Sequence, residues 1–341
     1  MQRNIEVSST LLNTGQPVCS VHWHRVPAER LFIGKPASSV LPLVPLLFSL
    51  CGKAQSLAAM LVLDQAILAD MLAEVRLEAI RETVFRFSVD WPKLRGFIPA
   101  NLAEFRTFSE LTDWKTWCEQ HWFGMPVHEW AGLGEAGWLS WIQSGATPIA
   151  NDARCLFGQV MPIPKLWPWQ SAAHLVEAIN PSLWTATTLP AGLDASALSI
   201  EQREVHGLLH EGRIPLARWL SRMVRLARML TLTEPHASVA RLERDGQPPI
   251  NVAMVETARG YLLHLAASNE AGVVETYQVI PPTAWHAHPE GVIYNAVMSC
   301  LLGNAFDWQQ QVTLIDPCTG FELATPPKNS AGTMEERQIH A

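Results

Sequence analysis

The chain has 341 residues, 48% hydrophobic and 17% charged, which gives enough apolar material for a substantial core and excludes general disorder. Lys and Arg number 25 against 32 for Asp and Glu, a formal charge of −7, so the basic surface needed for sequence-independent nucleic-acid binding is absent. The most apolar stretch, residues 41–63, is interrupted by Pro42, Pro45, Gly52, Lys53 and Gln55, and predicts buried core helix rather than a membrane span.

The first twenty residues hold neither the apolar run nor the cleavage site of a signal peptide. The six cysteines, at 19, 51, 118, 155, 300 and 318, have no disulfide-like spacing, so free thiols in a cytoplasmic protein are expected. Residues 1–36 read as short strands and turns, with alternation through Cys19-Ser20-Val21-His22-Trp23-His24 and a stop at Pro27. Residues 38–87 are helical in pattern, with Leu68, Leu72, Val75 and Ala79 at helical spacing, until Trp91-Pro92 closes the segment. The middle, 92–195, is rich in Trp, Pro and Gly, and its tryptophans (114, 117, 122, 130, 138, 141, 167, 169 and 184) read as packing residues.

A helical stretch over 199–230, punctuated at Gly212 and Pro215, carries Arg218, Arg222, Arg225 and Arg228 at a spacing that predicts a solvated stripe. The period then changes. Residues 251–258, 260–267 and 273–280 alternate or run apolar, with turn signals between them, and predict a small antiparallel sheet. A helix over 291–302 follows, then a short segment into Asp316-Pro317-Cys318. The organisation expected is one domain over 1–325 and a flexible polar tail over 326–341. His206 and His210 are spaced like a zinc pair, but Gly-Leu-Leu between them lacks the glutamate of the metalloprotease pattern, so an exposed face is expected. The alternating pairs His22/His24 and His286/His288 read as exposed or core histidines.

Four blocks carry chemistry. They are Leu50-Cys51-Gly52-Lys53-Ala54-Gln55; Val255-Glu256-Thr257-Ala258-Arg259-Gly260 with His264; the segment from Tyr277-Gln278 through Pro282-Thr283-Ala284-Trp285 to Pro289; and Asp316-Pro317-Cys318-Thr319-Gly320. In this order they resemble the blocks of nickel–iron hydrogenase large subunits, namely CxxC, E-x-P-R-G, Y-Q-x-x-x-P-[ST]-T-W-N and DPCxxC. The likeness covers about 47–60 and 251–321 and leaves out the Trp-rich middle.

The resemblance implies an α+β, mainly helical fold, a trimmed large-subunit fold in which both cysteine motifs approach one interior site. It also marks what is missing. The second cysteines of the two pairs fall at Ala54 and Phe321, and the histidine that ends the last block falls at Ala324. An alanine methyl and a phenyl ring donate no electrons to a metal. No nickel, no hydrogen turnover and no tail removal are therefore expected. The retained groups are Cys51 and Cys318 as metal ligands, with Arg259, Pro282 and Thr283 as groups that hold cyanide. Both retained cysteines match the nickel-only positions.

This pattern is similar to hydrogenase accessory proteins of the HupK/HoxV kind. It implies a non-catalytic scaffold or chaperone that carries or presents the Fe(CN)2(CO) unit, with the large-subunit precursor and small maturation chaperones as partners, and no nucleic acid or membrane. The other reading is a metal-free structural or interaction protein on the same fold. Of the two cysteines, Cys51 is the expected primary ligand, because it opens a predicted helix whose dipole favours a thiolate. Cys318 follows Asp316, a carboxylate that disfavours a thiolate unless it is paired elsewhere.

Overall fold

The computed structural model describes residues 5–11, 16–178, 192–231, 233–302 and 307–324; Trp184 and the tail expected from 326 lie outside these. β1 (Ile5–Leu11) and β2 (Pro17–Trp23) pair antiparallel, and alternation sends Ile5, Val7, Cys19 and Val21 into the core. His22 and His24 point to solvent.

Residues 37–51 do not form one helix. Pro42 and Pro45 each begin a new short turn, and the run Ala37–Leu47 meets Ser49–Val62 at 92°. Among the described residues no single helix is long and apolar enough to cross a membrane. The longer part, α1 (Gly52–Val62), buries Ala54, Leu57, Ala58 and Val62. In α2 (Met71–Phe85) the expected positions Val75 and Ala79 face inward, but Leu68 precedes the helix and is 62% exposed. A π-helical turn, Arg86–Asp90, carries α2 into the short helix Trp91–Leu94.

The described tryptophans of the middle pack as core. Trp114, Trp117, Trp122, Trp130, Trp138, Trp141 and Trp167 are buried, and rings stack in pairs such as Trp130–Trp138, with centroids 5.5 Å apart. Short strands β3 (Lys165–Leu166) and β4 (Leu193–Asp194) pair parallel.

The expectation of a solvated arginine stripe is wrong. In α3 (Ile214–Thr231), Arg218, Arg222 and Arg225 are 5%, 4% and 7% exposed. Each meets a buried carboxylate from another part of the chain: Arg218 pairs with Asp194, Arg222 with Asp316, and Arg225 with Glu256. Arg228, at the helix end, is half-buried against Glu201 and Glu204. Helical spacing places the four on one face, and the distant acids make that face an interior one.

Strands β5 (Ala237–Arg244), β6 (Gln247–Thr257), β7 (Gly260–Ser268) and β8 (Val274–Ile280) form a four-stranded antiparallel sheet in sequence order, with α1 packed against β6 and β7. The helix α4 (Pro282–His286) starts with proline at its first position, where a missing N–H costs nothing. Then follow α5 (Val292–Leu301), near the expected bounds, and α6 (Trp308–Ile315), which ends at Asp316 in the left-handed region at φ 60°. The last strand, β9 (Phe321–Ala324), runs parallel to β1. The fold is α+β and mainly helical, with the last three strands of the sheet where the sequence pattern predicts them and β5 in addition.

Candidate functional site

Three distant segments meet at one small cavity. Cys51 and Ala54 come from the start of α1, Arg259 from the β6–β7 turn, and Cys318 from the segment after α6; Glu78 and Glu82 of α2 close the opposite wall. The space between them is about 10 Å3, room for about one water molecule.

The turn that delivers Arg259 is a two-residue loop between Thr257 and Gly260, which are paired across the hairpin. The Thr257 hydroxyl donates to the Gly260 carbonyl at 2.9 Å and accepts from the Arg259 N–H at 3.2 Å. Gly260 has φ 122°, and a Cβ there would lie 1.8 Å from the Ala195 carbonyl oxygen, so the turn needs glycine twice over.

Arg259 is 6% exposed and held from two sides, with Nε 3.3 Å from Asp316 and its amino nitrogens 3.4 and 3.5 Å from Glu82. Asp316 also meets Arg222 and Arg86, each at 2.6 Å. Burial alone would raise the Asp316 pKa, but Arg222, Arg86 and Arg259 together hold it well below the usual carboxylate range. The same carboxylate, with the Cys318 sulfur and Glu82, outweighs burial at Arg259 and keeps the guanidinium charged.

Both cysteines are free thiols and partly buried. Burial, and then the neighbouring Cys318, pushes Cys51 up to about 12. Cys51 does stand at the N-cap of α1, but two of the free amides of that helix end are taken: Lys53 N–H and Ala54 N–H donate to the Glu78 carboxylate at 2.9 and 3.1 Å. Burial also raises Cys318, opposed by Arg259 and by the Thr283 hydroxyl. Thr283, 1% exposed, accepts the Cys318 backbone N–H at 2.8 Å, and Pro282 sets the start of α4 beneath it. Every sequence-derived site residue therefore reaches this neighbourhood: Cys51, Arg259 and Cys318 line the cavity, and Thr283 with Pro282 backs Cys318.

Sequence reasoning missed the wall of Glu78 and Glu82, the arginine clamp on Asp316, and Gln55, whose amide donates to the Cys51 sulfur at 3.4 Å. Helical spacing, which puts Gln55 one turn after Cys51 and Glu82 one turn after Glu78, is the signal that was there to use. Of the histidines, His206 and His210 lie on an exposed face, while His286 is fully buried and accepts the Ala195 N–H at 3.2 Å. Among the described residues no three His, Cys, Asp or Glu side chains converge in a metal-holding group. Beside the two sulfurs and the guanidinium, the cavity wall carries the Glu78 and Glu82 carboxylates, and the Thr283 hydroxyl stands behind Cys318.

No family model matches the chain. Over 306 residues it is 29% identical to the hydrogenase expression/formation protein HupK of Rhodobacter capsulatus, covering 87% of this chain and 90% of that protein. It is 26% identical over 326 residues to HupK of Azotobacter vinelandii, covering 86% and 90%. With the hydrogenase expression/formation protein HoxV of Cupriavidus necator it shares 24% over 343 residues, covering 87% and 90%. Among solved structures, an NAD+-reducing NiFe-hydrogenase in the H2-reduced state is similar with a TM-score of 0.48 and 15% identity, covering 92% of this chain and 94% of that one. The NiFeSe-hydrogenase of Dm. baculatum gives 0.49 and 12%, covering 90% and 94%.

Proposed function

We propose that this chain, homologous along most of its length to HupK and HoxV, is a non-catalytic scaffold of nickel–iron hydrogenase maturation that carries or presents an Fe(CN)2(CO) unit to the large-subunit precursor. Small maturation chaperones would be its further partners. The observation that carries this reading is that Cys51 and Cys318, from opposite ends of the chain, share one cavity with Arg259. Soft thiolates suit low-spin iron, and a buried guanidinium donates strong hydrogen bonds to an anionic cyanide. The Thr283 hydroxyl fixes Cys318 through its backbone and adds a donor beside the sulfur. Where the second cysteine of each pair would stand are Ala54, 1% exposed at the cavity wall, and Phe321 in β9, so a four-thiolate nickel–iron centre lacks ligands and the iron unit would rest on Cys51 and Cys318 themselves.

A cavity of about 10 Å3 is smaller than this cargo. Loading therefore requires the hairpin tip and the Cys318 segment to part, and Arg259 to exchange a carboxylate for cyanide. The decisive experiment is infrared spectroscopy on protein purified from a host with the maturation machinery. Cyanide and carbonyl stretching bands are expected, and their loss in the Cys51→Ser/Cys318→Ser double variant would tie them to this site. The second reading, a metal-free structural or interaction protein, is favoured by the pairing of Arg259 with Asp316 and Glu82. It predicts no such bands in the parent protein.

A further inference from the structure

Gln55 stands one helical turn after Cys51 on α1, so the two side chains share a face. One end of its amide, Nε2, donates to the Cys51 sulfur at 3.4 Å. The other end is fixed from the sheet: Gln55 Oε1 lies 2.7 Å from His264 Nε2, and His264 Nδ1 lies 2.8 Å from the Tyr277 hydroxyl. His264 is 0% exposed and Gln55 2%, so water does not compete for these bonds.

The direction of each bond follows from the atoms. An amide oxygen carries no proton, so His264 donates from Nε2. Burial, with a smaller push from Arg25, lowers His264 to about 3, and the neutral ring holds a single proton. Nδ1 is therefore bare and accepts from the Tyr277 O–H. All three bonds point toward Cys51. With the amide turned over, its carbonyl oxygen would face the lone pairs of a ligating sulfur.

We infer that Tyr277, His264 and Gln55 form a one-way donor chain that positions the Cys51 sulfur as a ligating thiolate for an iron centre bearing π-acceptor ligands. The inference deepens the proposed function and rests on it. Gln55 touches the ligand, and His264 and Tyr277 are positioning residues that act through it. An N–H···S bond draws electron density from the sulfur, and hence from the iron, which raises the carbonyl and cyanide stretching frequencies.

Gln55→Met keeps the length and removes the donor. The expected result is about tenfold weaker retention of the iron unit, about 1.4 kcal/mol, with the remaining bands moved to lower frequency. Tyr277→Phe should move them the same way by less. The Gln55→Met/Tyr277→Phe double variant should match Gln55→Met alone, whereas a packing role for Tyr277 would make the two effects add. A readout free of cargo comes from protein made without the maturation machinery, in which the imidazole 15N resonances of His264 should report the Nε2–H tautomer. The Nδ1–H tautomer, or unchanged bands and retention in Gln55→Met beside a loaded parent, would overturn the inference. A parent protein with no bands would instead sink the proposed function, and the tautomer would still read the direction of the chain.

Discussion

The backbone N–H of Cys318 donates to the Thr283 hydroxyl at 2.8 Å, which ties the segment after α6 to the start of α4 at the edge of the cavity. Thr283→Val keeps the shape of the side chain and leaves that N–H without its acceptor, at a cost of about 1–3 kcal/mol. Thr283→Ser retains the oxygen and should stay close to the parent. Urea unfolding checks this: the midpoint should fall for the Val variant with an unchanged slope. Equal midpoints for Val and Ser would mean that the bond holds nothing together.

Asp316 is the hub of the surrounding charges. It is 2% exposed and meets Arg222, Arg86 and Arg259, from three separate elements. Asparagine tolerates the left-handed backbone found there, so Asp316→Asn isolates the charge. Removing it takes the carboxylate from the buried Arg222 and leaves Arg259 with Glu82 and Arg86 with Asp90, and the expected loss is about 3–5 kcal/mol. Denaturant titration of the purified variant measures it, and a loss below about 1 kcal/mol would deny Asp316 this central role.

The pH dependence of stability should report Glu201. The side chain is 1% exposed, and burial raises its pKa to about 7 against the pull of Arg228 and Arg225. Between an unfolded value of about 4.5 and this folded value, the native state binds the extra proton, so the slope of stability on pH is negative for this group. Its contribution is fully present below about 4.5 and is lost as pH rises through about 7. Glu201→Gln removes this group, so stability measured across that window should acquire a more positive slope, by up to about 1.4 kcal/mol per pH unit. Parallel curves for variant and parent would refute the assignment.

The sheet over β6 to β8 is legible in the sequence because its strands are buried and its turns carry Gly and Asn. The first strand, β5, is not: of its eight residues Leu242 alone is buried, so an edge strand gives no alternation to read. The pairing of β9 with β1 is equally hidden, since a four-residue strand joins a partner at the other end of the chain. Cys51, Arg259, Thr283 and Cys318 are legible through the order of their motifs. The buried role of Arg218, Arg222 and Arg225 is not, because a helical stripe of charge looks the same whether water or distant carboxylates face it. Asp194, Glu256 and Asp316 decide the matter here, and no local pattern connects them to α3.

The two cysteines should differ in the order opposite to the one expected from their motifs. The sequence favours Cys51 as the primary ligand because it opens a helix, yet the Glu78 carboxylate already occupies two of the amides at that helix end and sets a negative charge near the sulfur. The sequence disfavours Cys318 because of Asp316, but that carboxylate is paired with Arg222, Arg86 and Arg259, and at Cys318 the pull of Arg259 exceeds the push of Asp316. Arg259 is the main counterweight to burial at Cys318 and a minor one at Cys51, to which, among the described residues, the Gln55 amide donates. Cys318→Ser should abolish retention of the iron unit and hydrogenase maturation in cells, while Cys51→Ser should leave a partial phenotype. Glu78→Gln, which removes the charge beside Cys51 and keeps an acceptor for the helix amides, should narrow the difference. If Cys51→Ser is instead the more damaging, the carboxylate at the helix end does not set the order, and the dipole argument for Cys51 stands.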